Sequence, residues 1–219
     1  ITILLVSILF YTLIRYFKLR KRHEEIELQS YKAELNLLKA YIQPHFLFNT
    51  LNNIYYETHK ESPRAAELVE KLSVLMRYFV DENPKDKVSL EKELEFITNY
   101  IELERIRIRF PMDIVFKQPA QLNITLPPML LMPFIENLFK HGIDKDKKDN
   151  YAYICLEISN DMLIFSVTNA LHSNLEKTES GIGLKNLQKR LRVLYGKNFT
   201  LHAVVKGDQY ESRLIIPVE

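Results

Sequence analysis

Apolar residues three and four positions apart recur from Leu28 to Phe79 and stop at Asn83-Pro84, which limits this part of the chain to helices with one face each to bury. Leu28, Tyr31, Leu35, Leu38 and Ile42 alternate in the manner of a two-stranded seam, so the helix carrying them is expected to pair with its own copy. Pro44 lacks a backbone donor and crowds the carbonyl of Ala40, which predicts a kink. Beyond it the stripe continues as Leu47, Phe48, Leu51, Ile54 and Tyr55. At about 100° per residue, His45 falls roughly 120° from the centre of that stripe, on a polar strip with Asn49 and Asn52. Ser62 and Pro63 suit the N-cap and first position of a second helix, whose apolar face is Leu68, Leu72, Leu75 and Phe79. Two helices joined by a short loop cannot bury both faces alone, whereas two copies form a four-helix bundle; the pattern predicts a homodimer.

The other end of the helical part is apolar. Ile1 to Ile14 contains no charge and is followed by Arg15, Lys18, Arg20, Lys21 and Arg22, an order that predicts membrane and then cytoplasm. A complete span takes about 20 apolar residues, so residues 1–17 are expected to be the end of a transmembrane helix. A signal peptide fits poorly, because here the cations follow the apolar run. Formal charge is +2, from 30 basic and 28 acidic residues, too balanced to suggest nucleic-acid binding on electrostatics alone, and no direct nucleic-acid contact is expected. The single cysteine, Cys155, has no partner for a disulfide or a metal-binding spacing and is expected to be a packed thiol.

After Pro84 the texture becomes mixed. A helix is expected from Leu90 to Arg107, a short strand from Met112 to Phe116 and a helix from Met129 to His141. Tyr151–Ser159 and Met162–Thr168 form a predicted hairpin turned at Asn160-Asp161. Gly183 to Tyr195 is helical by its leucines, and Phe199–Val205 with Gln209–Pro217 makes a second hairpin around Gly207. The fold class is α+β, with helices laid over one sheet face. The expected division is 1–17 membrane helix end, 18–84 coiled-coil linker and dimerisation helices, and 85–219 a separate domain with its own core.

Four segments carry a family resemblance. QPHFLFN (Gln43 to Asn49) resembles the phosphoacceptor motif of LytS/YesM-type sensor histidine kinases. VSLEKELEFITNYIELERIRIRF (Val88 to Phe110), LPPMLLMPFIENLFKHGI (Leu126 to Ile143) and GIGLKNLQKRLRVLYG (Gly181 to Gly196) match the same family in the same order. The resemblance implies a phosphoacceptor helical hairpin followed by a Bergerat (GHKL) α/β sandwich that binds ATP and Mg²⁺. It also implies transfer of phosphate from His45 to an aspartate on the receiver of a response regulator, often one with a LytTR DNA-binding domain.

The residues suit that chemistry. An imidazole with a pKa of about 6.5 is mostly neutral in cytosol and holds a free nitrogen lone pair, so His45 can attack phosphorus without first losing a proton. Other histidine-kinase families usually place an acidic base directly after the acceptor, where this chain has Phe46. Asn49, one turn on, can accept from water and donate to a phosphoryl oxygen, and is expected to help dephosphorylate the regulator. In ENLFKHG, residues 137, 140 and 141 share a helical face. By resemblance to the N-box, Asn137 would ligate Mg²⁺ through its amide oxygen, Lys140 and His141 would lie near phosphates, and Glu136 joins the catalytic set. Taken as a lone string, the segment would instead be a charged helix end with Gly142 as its C-terminal cap. Gly181 and Gly183 precede a helix whose N-terminal amides can receive phosphate, with Asn186 and Arg190 continuing the site. Leu171 to Ser180 is expected to be a lid over nucleotide. Related kinases carry an Asp-x-Gly box for adenine where this chain reads Val167-Thr168-Asn169-Ala170. An asparagine carbonyl can accept the adenine amino proton, without the charge. The altered box motivates a competing expectation, a degenerate kinase acting as a dimeric membrane scaffold.

Overall fold

In the computed structural model the described residues are 3, 5, 8–22, 44–82, 85–108, 110, 112–119, 123–144, 147–171 and 181–218. The chain divides into two compact units, residues 1–50 and 51–219. In the first, residues 8–22 are helical (α1), and the apolar side chains from Ile8 to Phe17 are exposed. Among the described residues no helix is long and apolar enough to cross a membrane. The seam from Leu28 to Ile42, Asn83-Pro84 and the stretch that would show a kink before Pro44 lie outside the described residues. Helix α2, Pro44–His59, starts in this unit and ends in the next.

In the second unit, residues 60–62 lead into α3, Pro63–Asp81. Ser62 occupies the N-cap position, but its hydroxyl makes no capping hydrogen bond; Pro63, pre-set for helical φ, supplies the start. Two short strands absent from the sequence reading follow: β1, Val88–Ser89, pairs antiparallel with β3, Thr125–Leu126. Two-residue strands carry no periodicity, so a pattern search passes over them. Helix α4, Leu90–Arg107, is capped by the Ser89 hydroxyl, which accepts from Lys92 N–H at 3.4 Å. Acidic residues in its first turn and arginines in its last complement the helix dipole. Helix α3 packs on α4 through Tyr78 stacked on Phe96 at 4.3 Å, with Phe79 edge-on to the same ring. Lys71 pairs with Glu102, and Arg64 donates to the Ile106 carbonyl at 2.5 Å.

The main sheet has strand order β2-β4-β5-β7-β6. Its strands are β2 (Asp113–Lys117), β4 (Tyr151–Ser159), β5 (Met162–Ala170), β6 (Thr200–Lys206) and β7 (Gln209–Pro217). Only the β2–β4 pair is parallel. Asn160 and Asp161 turn the β4–β5 hairpin with φ of 51° and 58°, and Gly207 turns β6–β7 with φ 61°. One face of the sheet is buried: Ala152, Ile154 and Leu156 on β4, Leu163, Phe165 and Val167 on β5, Leu214 and Ile216 on β7. Helices α4, α5 (Met132–His141) and α6 (Gly181–Tyr195) join the same core, giving an α+β arrangement of helices and sheet.

Two helix starts differ from the sequence expectation. Helix α5 begins at Met132 rather than Met129, because Met129 sits at φ 56° in the left-handed region and cannot begin a right-handed helix. Helix α6 includes Gly181 and so begins two residues early. At the centre of the core, Phe165 is fully buried and meets Phe134 edge-on at 5.5 Å. Phe165→Ala should therefore lower unfolding free energy by about 3–5 kcal/mol, measured as a drop in the denaturant midpoint with unchanged slope.

Candidate functional site

Helix α5 buries Met132, Phe134, Ile135, Leu138 and Phe139. Asn137 stands between these positions, and its Nδ2 is fully buried without a hydrogen-bond partner among the described residues. A buried unpaired amide costs about 1–3 kcal/mol, so a ligand able to accept from it would recover that loss. Gly183, in the first turn of α6, is exposed, and a side-chain carbon there would lie 3.7 Å from Asn137 Oδ1. With glycine at that position the amide oxygen and the start of α6 stay open to each other. The first amides of a helix have no intrahelical acceptor and favour an anion.

The adjoining corner is built by Asn169 and Gly142. Asn169 continues the inward register of Leu163, Phe165 and Val167 along β5 and is buried. Its Nδ2 donates to the Ala170 carbonyl at 2.8 Å, and among the described residues no donor reaches its Oδ1. Gly142 does occupy the C-cap position of α5, its N–H donating to Leu138 O at 2.8 Å. Its φ is −97°, however, so the left-handed turn that usually calls for glycine is absent. The reason for glycine is space: a Cβ there would stand 2.6 Å from the Asn169 side chain and 2.9 Å from the Leu138 carbonyl oxygen.

The remaining expected residues are placed as follows. Lys140 pairs with Glu136 at 3.3 Å, one turn apart on the exposed side of α5. His141 is half-buried at the end of the same helix, and Asn186 is exposed on α6. Arg190 donates to the Pro128 carbonyl at 2.8 Å. Gly181 begins α6. His45 is in the first turn of α2 and Asn49 is exposed one turn later, both in the first unit. Of the expected lid, Leu171 is exposed and residues 172–180 lie outside the described ones. Cys155 is partly buried and donates to Glu157 Oε1 at 3.5 Å; burial pushes its thiol pKa up. Among the described residues no cluster of His, Cys, Asp and Glu could hold a metal alone. A single amide oxygen sharing the ion with phosphate oxygens suits the hard, partly hydrated Mg²⁺.

Two residues that the sequence reading passed over sit behind this site. Glu93 is fully buried in α4, accepting from Tyr78 Oη at 2.5 Å, Met129 N–H at 2.8 Å and Leu131 N–H at 3.2 Å. Burial holds its pKa above the ordinary carboxylate range, while the three donors pull the other way. Burial, followed by the neighbouring Glu93 charge, pushes the Tyr78 hydroxyl well up. The signal was available: Glu93 interrupts the stripe Leu90, Leu94, Ile97 and Ile101 with a charge. Close by on the same helix, burial raises Tyr100 to about 12, and its ring lies edge-on to Phe139 of α5.

On the helix-covered sheet, the Asn137 side chain therefore lies beside the glycine-bearing start of α6, its Nδ2 unpaired among the described residues and its Oδ1 toward Gly183. A family model described as histidine kinase matches residues 33–111. The sensor histidine kinase YpdA of Escherichia coli K12 is 28% identical over 198 residues, 86% of this chain and 35% of that one. The sensor histidine kinase BtsS of the same organism is 30% identical over 82% of this chain and 32% of its own length. The sensor protein LytS of Oceanobacillus iheyensis is 32% identical over 78% and 32%. The chain belongs to the LytS-type histidine kinases, and it spans about a third of the length of these relatives. Gly142→Ala should push the Asn169 amide out of place and weaken binding of a fluorescent ATP analogue on the order of tenfold, the equivalent of one hydrogen bond. Its thermal midpoint should fall by only a few degrees, roughly what 1 kcal/mol of strain removes.

Proposed function

We propose that the chain is the phosphoacceptor and ATP-binding part of a sensor histidine kinase of a two-component system. The observation that carries this reading is the buried amide of Asn137, unpartnered among the described residues, beside Gly183 at the start of α6; the named relatives support it. Residues 18–84 form the linker and dimerisation helices, two copies making a four-helix bundle, and 85–219 form a Bergerat-type domain. Asn137 Oδ1 ligates Mg²⁺, which when bound neutralises charge developing on the phosphates. Phosphate oxygens take the amides from Gly181 to Gly183, with Asn186, Lys140 and His141 around them, and Glu136 holds Lys140. Arg190 closes the rear of the site through Pro128. Asn169 Oδ1 accepts from the adenine amino group. A nitrogen lone pair of His45 attacks the γ-phosphorus, the bond to the bridging oxygen breaks, and ADP leaves. The imidazole proton then passes to solvent, and an aspartate of a response-regulator receiver, of the LytTR type, later takes the phosphoryl group.

The exposed apolar residues from Ile8 to Phe17, followed by Arg20 and Arg22, support anchoring of α1 in the inner membrane with the rest in the cytoplasm. A scaffold without turnover finds no support among relatives that are named sensor histidine kinases.

Incubation with labelled ATP and Mg²⁺ should yield acid-labile, base-stable phosphate on the wild-type chain. His45→Gln should abolish it while leaving nucleotide affinity within about twofold, a difference of roughly 0.4 kcal/mol. Phosphate retained in that variant, or absent from the wild type, would sink the reading. Asn49→Ala should leave His45 phosphorylation within a few-fold yet slow the decay of phosphorylated regulator; equal decay with both proteins would make Asn49 a structural residue only.

A further inference from the structure

Of the six side chains that α4 buries, five are apolar and the sixth is Glu93. Its Oε2 accepts from the Tyr78 hydroxyl of α3 and from Met129 N–H, and its Oε1 accepts from Leu131 N–H. Both amides belong to the loop between β3 and α5. That loop contains Met129 at φ 56°, a conformation that side-chain-bearing residues rarely adopt without an outside hold. Arg190 of α6 donates to the Pro128 carbonyl of the same loop at 2.8 Å. The loop runs directly into α5, whose second turn carries Asn137.

We propose that Glu93 is a positioning residue for the nucleotide site, and that Tyr78 makes its hold conditional on α3 being docked against α4. The inference rests on the reading of Asn137 and Gly183 as part of a nucleotide site. The route is continuous: α3 presents the hydroxyl, the carboxylate takes it, and the same carboxylate fixes the two amides that set where α5 begins. Helix α6 is tied to the same loop by Arg190, so the loop determines how Asn137 and Gly183 face each other. When α3 shifts on α4, the Tyr78 hydroxyl leaves, and a buried carboxylate short of one donor turns toward water. The Met129 and Leu131 amides lose their acceptor, and the two halves of the phosphate site lose register. Tyr78 also stacks on Phe96 at 4.3 Å, which fixes the hydroxyl's direction while α3 is docked. A buried hydrogen-bond network of this kind is held as a unit rather than bond by bond.

The test is a double-mutant cycle in the full chain with Tyr78→Phe, Glu93→Gln and both together. Binding of a fluorescent ATP analogue with Mg²⁺ and amide hydrogen exchange without nucleotide are both measured. Tyr78→Phe keeps the ring and its stacking and removes only the hydroxyl. It should weaken nucleotide binding about three- to tenfold and speed exchange at Met129 and Leu131, with the β4–β5 amides unchanged. The double variant should bind no more weakly than Glu93→Gln, because residues acting through one another are not additive. Unchanged exchange at Met129 and Leu131 in Tyr78→Phe would overturn the proposal, as would additive losses of affinity in the double variant. Should Glu93→Gln fail to fold, exchange in Tyr78→Phe decides by itself. Failure of the unaltered chain to bind the analogue would remove the nucleotide-site reading, and this inference with respect to ATP would fall with it; exchange at the two amides would then report only the Tyr78–Glu93 hold on the loop.

Discussion

The five-stranded sheet has one apolar face, and the rest of the second unit is arranged by the need to cover it. Side chains alternate along β4, β5 and β7, so Ile154, Leu156, Leu163, Phe165, Leu214 and Ile216 all point to the same side. Helix α5 crosses that side with Phe134 against Phe165, while α4 and α6 contribute Leu90, Ile97, Leu187 and Leu191 to the same core. A slip of one residue in β5 would send Phe165 to the opposite face and bring Ser166 inward. Register is therefore fixed by burial, and with it the position of every residue at the strand's end.

The candidate site lies where that apolar cover stops. Asn169 obeys the same alternation as Phe165 and Val167, and so is delivered to the inner face at the last positions of β5. On α5, Asn137 is adjacent to Leu138, which is buried, and the helical period brings the amide to the edge of the core rather than to open solvent. Two asparagines thus reach one rim of the sandwich by different periodicities. Glycine at 142 and 183 makes room at each: the first prevents a collision with Asn169, and the second leaves the start of α6 bare beside Asn137.

Much of this was legible in the sequence because periodicity reports burial. The alternating runs around Phe165 and Leu214, the turn at Asn160-Asp161 and the stripe of α4 follow directly from which residues must be inside. Asn137, Asn169 and the Gly181–Gly183 pair were legible only through the company of their neighbouring motifs, since a lone amide or Gly-x-Gly has no period. The start of α5 was not legible, because the left-handed backbone of Met129 is imposed by acceptors 36 residues away in sequence. At Gly142 the C-cap position is local and readable, whereas the approach of Asn169 is a tertiary contact. Glu93 was visible as a charge in an apolar stripe, yet its partners, on α3 and after β3, come together only through the fold.

A carboxylate at Glu93 is a costly choice for a buried position, and the donors around it explain it. The loop from Pro128 to Leu131 leaves two amides facing the interior, and Tyr78 adds a hydroxyl from α3. A carboxylate can accept from all three without presenting a hydrogen of its own, whereas a glutamine would set its NH₂ against one of these donors and a leucine would leave the amides unpaired. The charge is tempered by Arg190, whose attraction favours the ionised form against burial. Of the groups holding Glu93, the two amides and Arg190 belong to the sandwich and move with it. The Tyr78 hydroxyl comes from α3, which lies before the sandwich in the chain and packs on α4 by its own aromatic contacts. It is therefore the one donor whose loss leaves the sheet and its three covering helices intact, and the one through which displacement of α3 acts on the loop without dismantling the core.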